Sequence, residues 1–498
     1  MLIRNAELLA TLPSLSGPNT PPGQLFDVRC ERGVVVEINP ANEGSAGRTL
    51  AGTAAGTAAG TATGPAIDAG GALLLPGLHD HHIHLFASAA AQRSIDCEAT
   101  GISTADALAD AVNSAPGVAP GADWVRVVNY HERIAGELDK TAIDGLLADR
   151  PIRIQHATGK MWFLNSAALA ELDLKPPFPA GVQCAADGKP NGRFFRADSW
   201  LGKALDETMK TRGAPDLSEL SAQLARLGIT GVTDTSADNT DATLEILQAQ
   251  QSQGYLQQRV RAMGNDRLSA MQEPSLQTGE LKVLLDEYAL PDIDALIGRI
   301  QRAHELSRGV ALHCVTHTEL VFALSALASA GNNPAAIDRI EHASVVTNAD
   351  LELLRSTQVS VVTQPGLVAS RGDNYRAAHD PDAQTNLYRC ATLLNAGVPT
   401  AAGSDAPYGP MDPWLAMQTA VDRKTPSAAV LGEGERVSPE QALTMYLGAP
   451  EKPAGRARSI NVGAPADFCL LHLPWRAARN NLHKQLVRQT FIAGRPCL

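Results

Sequence analysis

The chain has 498 residues, 44% apolar and 19% charged, with a formal net charge of −11. Such a composition belongs to a globular protein large enough to bury a sizeable core and to exceed one average domain. The negative charge argues against nucleic acid or an anionic membrane surface as a partner.

No apolar run is long enough for a transmembrane helix, and the N-terminus, "MLIRNAELLATLP", lacks the basic and apolar regions of a signal peptide. The seven cysteines are scattered and include no C-x-x-C pair, so reduced thiols and a cytoplasmic location are expected.

In chain order, "MLIRNAELL", "LFDVRCERGVVVEINP" and "GGALLLPG" read as short strands, as do "GAPADFCLLHLP" and "LVRQTFIAGRPC" at the far end. Together they predict a composite β-sandwich built from residues 1–75 and about 455–498. Between them, "AGTAAGTAAGTATG" (51–64) repeats every four residues without large side chains, which suits a mobile surface loop. The apolar run Ala72 to Leu75 then leads through Pro76-Gly77 into Asp80-His81-His82-Ile83-His84. On a strand, His82 and His84 share a face and offer half of a metal site. By the same parity His81 should point away from them, and Asp80 should orient a ligand rather than bind metal.

Residues 86–215 are too many for a plain crossover and predict an inserted subdomain with strand-like runs at 124–132 and 151–160 and a helix-like "NSAALAEL". A helical stretch, "DLSELSAQLARLG", precedes a second strand at 231–234, and a third falls near 258–264. Lys282, His313 and His342 follow in "GELKVLLDE", "GVALHCVTH" and "IDRIEHAS", strand seven is "QVSVVTQP" (358–365), and strand eight leads to Asp405 in "GVPTAAGSDAP". Strands alternating with room for helices predict a (β/α)8 TIM-like barrel over 76–454, whose functional groups gather at the C-terminal strand ends. Imidazole and carboxylate suit zinc, and also iron, nickel or manganese. A lysine that has taken up carbon dioxide becomes an anionic oxygen ligand able to bridge two ions about 3.5–4 Å apart.

Those residues carry a family likeness. "PGLHDHHIHL" (76–85), "NSAAL" (165–169), "GITGVTDTS" (228–236), "LKVLLDE" (281–287), "HCVTH" (313–317), "RIEHA" (339–343) and "AGSDAP" (402–407) resemble the metal-dependent amidohydrolase superfamily, and within it the YtcJ-like group that includes N-substituted formamide deformylases. The resemblance implies His82, His84, Lys282, His313, His342 and Asp405 as metal ligands. It implies carboxylated Lys282 as the bridge between two divalent ions, with zinc expected, and Asp405 as the catalytic general acid/base. The reaction it implies is hydrolysis of an amide-type C–N bond (N-acyl, anilide, formamide or cyclic amide) in a small-molecule substrate, by attack of a hydroxide generated at the metal. The alternatives are a deaminase of an amino-substituted ring and a non-catalytic scaffold on the same barrel. Deaminase relatives often place a glutamate three residues after the strand-five histidine; Thr316 stands there instead. Where many relatives carry Asp-Gly-His, this chain reads Thr158-Gly159-Lys160, a departure near the expected substrate pocket that bears on the formamide specificity and not on the metal site.

Candidate substrate contacts are Tyr130 and His131 at the end of the first inserted strand, and His156, Lys160 and Trp162 around the second. His317, one turn beyond His313, and Arg371 and Tyr375 in the segment after strand seven complete the set. The alternative reading of each is a solvated or core residue. A homodimer is the base-rate expectation for the assembly.

Overall fold

The computed structural model describes residues 1–8, 24–41, 66–97, 100–115, 124–197, 200–202, 204–205, 215–332 and 335–497; the repeat at 51–64 lies outside them. The chain divides into two compact units, Met1–Ser88 with Asp216–Leu498, and Ala89–Pro215.

The larger unit contains a sheet of eight parallel strands: β1 (Leu78–Ile83), β2 (Ile229–Asp234), β3 (Arg259–Gly264), β4 (Leu276–Leu284), β5 (Val310–Cys314), β6 (Arg339–His342), β7 (Ser360–Thr363) and β8 (Thr400–Ala402). Each strand pairs with the next in chain order. The ends meet through a parallel bridge between Ile83 and Ala406, with Asp405 N donating to His82 O at 2.7 Å and His84 N to Ala406 O at 2.9 Å. Parallel strands covered by helices read as apolar runs, and here alternate side chains divide the work. Leu281, Val283, Leu312, Ile340 and Val361 form one buried cluster with Leu296 and Ile300 of the helix Ile293–Glu305 and Leu320 and Leu324 of the helix His317–Ala330. Each such side chain stabilises by about 1.5–3 kcal/mol when buried.

The opposite set differs from the branched apolar residues usual inside such barrels. Register places Lys282 level with Ala311, Ala311 with Arg339, and Arg339 with Ser360. Arg339, Glu341, Glu280 and Lys282 are all buried.

Local sequence explains the helix starts. Thr316 caps the helix after β5, in a reciprocal capping box with Glu319, an arrangement worth about 1 kcal/mol. The helix Ser218–Arg226 stops just before Gly228, whose φ of +83° suits glycine and whose added Cβ would meet Cys469 Sγ at 2.6 Å. The segment after strand seven, which reads as a polar loop, is the helix Gly366–Ala378. Tertiary packing overrides its weak pattern: Leu367 and Val368 sit in a cluster with Leu387, Tyr388 and Leu431, and Gly372 lets Thr425 approach closely.

The terminal strands join in one continuous mixed sheet, with Phe468–Leu471 pairing Leu73–Pro76, and Leu2–Leu8 beyond it. Hydrogen bonds thus run through a single sheet, whose far strand Val34–Pro40 bridges back to Pro465 through Val34. The sheet is tied to the barrel by Thr490 Oγ1, which donates to Ala225 O at 2.6 Å, and by the Arg259–Asp467 ion pair. Within Ala89–Pro215, a six-stranded sheet has the order Val182–Cys184, Pro190–Phe195, Met161–Leu164, Ile152–His156, Val125–Tyr130 and Ile95–Asp96. Among the described residues no helix is long and apolar enough to cross a membrane, and all seven cysteines are free.

The closing seam gives a first prediction. A Cβ on Gly403 would lie 2.5 Å from His82 N and Cβ, and backbone cannot yield as a side-chain tip can. Gly403→Ala should therefore destabilise the protein by at least about 1–3 kcal/mol, read by chemical denaturation; an unchanged midpoint contradicts the close approach.

Candidate metal centre

β1 and β8 deliver the first groups. His82 Nε2 lies 3.3 Å from Asp405 Oδ1, and His84 Nε2 lies 3.4 Å from the same oxygen. Ligand atoms of His82, His342 and Asp405 all fall within 4.8 Å of one another, a spacing at which one cation can be held. The His342 ring packs 4.7 Å from that of His82 and 4.5 Å from that of His313, centroid to centroid. Backbone geometry aims two of these groups: His342 (φ 69°) and Asp405 (φ 55°) both adopt the left-handed region at a strand end, a conformation sparsely populated by non-glycine residues and often found at functional sites.

Neighbours orient the rings. Gln364 Oε1 lies 2.8 Å from His342 Nδ1, Ser236 Oγ lies 3.3 Å from His84 Nδ1, and Glu341 bonds His82 Nδ1. In each case the ring edge bonded to a neighbour is Nδ1, and for His82 and His84 this leaves Nε2 facing Asp405. Asp80 acts on backbone rather than on a ring. Its Oδ1 accepts N–H bonds from His82 at 3.1 Å and from Ser404 at 2.9 Å. One carboxylate oxygen thereby fastens both sides of the seam. Burial pushes the Asp80 carboxyl up to about 6, against the pull of the bonds from Ser404 and His82. His81 is fully buried beside His79, ring centroids 4.6 Å apart.

Electrostatics act differently on the groups: burial would lower His82, but the Glu341 carboxylate raises it. Burial would raise the Asp405 carboxyl, but bonds from His82 and His84 hold it well below the usual carboxylate range. Burial lowers His342 to about 4 and drives His313 well below its ordinary value, so both rings are neutral near pH 7. Lys282 is fully buried, its Nζ has no hydrogen-bond partner among the described residues, and burial lowers its pKa. Its charge acts on His82, His313 and His342, and register sets it level with Ala311, two residues before His313. A buried ammonium with no partner is costly. An amine converted to an anionic carbamate beside cations is not, so the donor set of four imidazoles, a carboxylate and this lysine fits divalent metal.

The other expected contacts separate into groups. Arg371 Nη2 donates to Tyr408 O at 2.7 Å, and the Tyr408 ring stands edge-on to His84 at 5.5 Å, so Arg371 reaches the rim of the histidine cluster. The Tyr375 hydroxyl lies 3.2 Å from that of Tyr388. The His317 ring is engaged by the Asp350 carboxylate at 3.0 Å rather than by the histidines.

Within the insertion, two readings need correction. Tyr130 is fully buried and its hydroxyl donates to Gly136 O at 2.6 Å, which leaves no free donor for a substrate carbonyl. Trp162 is a core residue, packed with Leu164 and Phe194 and flanked by the guanidinium groups of Arg126 and Arg153 at 5.9 and 5.8 Å. His156 is satisfied locally, by Glu132 at 3.0 Å and Thr158 at 2.8 Å. His131 caps the short helix Glu132–Ala135, and Lys160 is exposed.

Arg339, Glu341, Gln364 and Ser236 were not singled out by sequence reasoning. Arg339 and Glu341 lie two apart in "RIEHA", a signal for a shared strand face that the adjacent histidine obscures. Gln364 and Ser236 carry no such signal.

The structure is an eight-stranded parallel barrel that carries histidines and an aspartate at its C-terminal strand ends. The chain belongs to the amidohydrolase family, whose pattern matches residues 66–497. It is 26% identical over 480 residues to an N-substituted formamide deformylase of Arthrobacter pascens, and 25% identical over 483 residues to the YtcJ amidohydrolase of Bacillus subtilis (strain 168). Each match covers 86% of this chain and 89% of the relative. Its fold is similar to that of a metal-dependent hydrolase of Pyrococcus horikoshii OT3, with a TM-score of 0.69 at 19% identity, covering 82% of this chain and 88% of the other.

Asp80→Ala would leave two buried N–H donors without their acceptor, at a cost of about 1–3 kcal/mol each. The variant should unfold at lower denaturant than wild type; a wild-type midpoint would show that the seam closes without it.

Proposed function

We propose that the protein is a metal-dependent hydrolase that cleaves an amide-type C–N bond in a small molecule. The reading is carried by the meeting of Asp405 with His82, His84 and His342 where the barrel closes. His82, His84, His313, His342 and Asp405 would hold the metal, with Lys282 as a carbamate bridging two ions, zinc being the cation best suited to the donors. When bound, the metal supplies Lewis acidity and makes a nucleophile available from water near neutral pH.

The chain's own residues do the rest. Asp405, ionised and fixed by its two histidine contacts, takes the proton from the attacking water and delivers it to the departing nitrogen. The neutral rings of His313 and His342 keep their ligand atoms free of protons. Arg371, placed at the rim through Tyr408, would pair with an anionic part of the substrate, and Tyr375 would offer a hydroxyl to it. His131, His156, Lys160 and His317 are secondary candidates for substrate contact.

The formamide activity named for the Arthrobacter pascens relative makes N-substituted formamides the first compounds to screen, alongside N-acyl amino acids, anilides and lactams. Thr158-Gly159-Lys160, which departs from the common pattern of the relatives, argues for including all four classes. The reading disfavours ring deamination, because Thr316 stands at the place where such relatives carry glutamate and its hydroxyl oxygen accepts from Glu319 N.

Treatment with a chelator should abolish hydrolysis, and added Zn2+ should restore it; full activity of metal-free protein refutes the proposal. Asp405→Asn should lower kcat by about 10²–10⁴-fold, the usual range for a lost proton-transfer group, with the circular dichroism spectrum preserved. A near-normal kcat would remove Asp405 from its role.

A further inference from the structure

Beneath the histidines runs a column of buried charges of alternating sign. Glu341 is fully buried and bonds His82 Nδ1. Its Oε1 receives Arg339 Nε at 2.7 Å and its Oε2 receives Arg339 Nη2 at 3.2 Å. Arg339, also fully buried, donates Nη2 to His81 O at 2.7 Å and brings Nη1 within 3.8 Å of Glu280 Oε2. Glu280 is in turn gripped by Arg261 at 3.1–3.3 Å. The column draws on β3, β4 and β6 and ends on β1 at a single imidazole. Its fixed guanidinium forks hold the terminal carboxylate in one orientation, since bidentate Arg–carboxylate geometry is specific.

We infer that Glu341 is a positioning residue for His82, holding the ring proton on Nδ1 and the Nε2 lone pair toward the metal. Several observations support a role beyond neutralising Arg339. The Glu341 carboxylate is shared between the Arg339 guanidinium and the His82 imidazole. The ring edge it occupies is the one facing away from Asp405, whose Oδ1 lies 3.3 Å from Nε2. Carboxylates that accept from the outer ring nitrogen of a metal-bound histidine fix its tautomer and orientation, and losing them costs about 10–100-fold in metal affinity. Gln364 and Ser236 occupy the matching edges of His342 and His84 as neutral groups. Among these three rings, His82 alone has a charged acceptor at Nδ1, which would make it the most strongly donating of them.

The inference rests on His82 being a ligand, as proposed above, and the experiment separates the two. Zinc affinity is measured by chelator competition on the intact wild-type protein and on Glu341→Gln and Glu341→Asp. Glu341→Asp keeps a negative charge for Arg339 but withdraws the carboxylate from the ring by one methylene. Both variants should bind zinc about 10–100-fold more weakly than wild type, and Glu341→Asp should do so with its thermal midpoint in the zinc-free state close to that of wild type. In zinc-loaded wild-type protein labelled with 15N-histidine, the His82 resonance, identified by its loss in His82→Asn, should show the proton on Nδ1. Zinc affinities of both variants within twofold of wild type, or a His82 proton on Nε2, overturn the inference and leave the metal centre intact. Failure of the wild-type protein itself to bind stoichiometric zinc overturns both readings.

Discussion

The seam between β1 and β8 is the contact on which the site depends. Asp405 N bonds His82 O, His84 N bonds Ala406 O, and Asp80 Oδ1 accepts from both His82 and Ser404. These bonds close the barrel and, in the same stroke, bring a residue from position 405 against residues 82 and 84. Gly403 allows the approach because no side chain intervenes between the two backbones. Fold closure and site assembly are therefore one event, and a perturbation that opens the seam removes the metal-binding geometry with it.

The barrel interior shows how this geometry is held. Buried charges are tolerated only when paired and hydrogen-bonded, and Arg261, Glu280, Arg339 and Glu341 satisfy that condition among themselves. Lys282 does not. It is buried, without a hydrogen-bond partner among the described residues, and placed where its charge acts on three histidines. The contrast separates structural charge from chemical charge inside one barrel. The column holds its carboxylates by paired guanidinium groups, whereas the unpartnered amine is what supports the proposal of Lys282 as a carbamate.

The insertion, taken by itself, is a folded unit with its own core rather than a loose rim. Tyr130, Ile152, Ile154 and Phe163 pack together, and Trp162 is flanked by two arginines. Tyr130 and Trp162 are thus spent on stability, while His131 and Lys160 are exposed.

Much of this protein was legible in its sequence. The alternation of β-type runs with helix-length spacers predicts the eight strands, because parallel strands buried between layers need continuous apolar segments. The pair His82/His84 on one strand face follows from the two-residue period of a strand, and the order of the six ligand-type residues follows from strand order. Local signals were also sufficient for the helix that ends before Gly228. Tertiary structure alone decided the rest. It made a helix of 366–378, since packing against Leu387 and Leu431 outweighs a polar, glycine-containing pattern. It buried Tyr130 and Trp162, since their cross-strand neighbours lie far away in the chain. It joined Glu341 to His82 across 259 residues, because register between strands, which no local pattern encodes, determines which inward-facing groups meet.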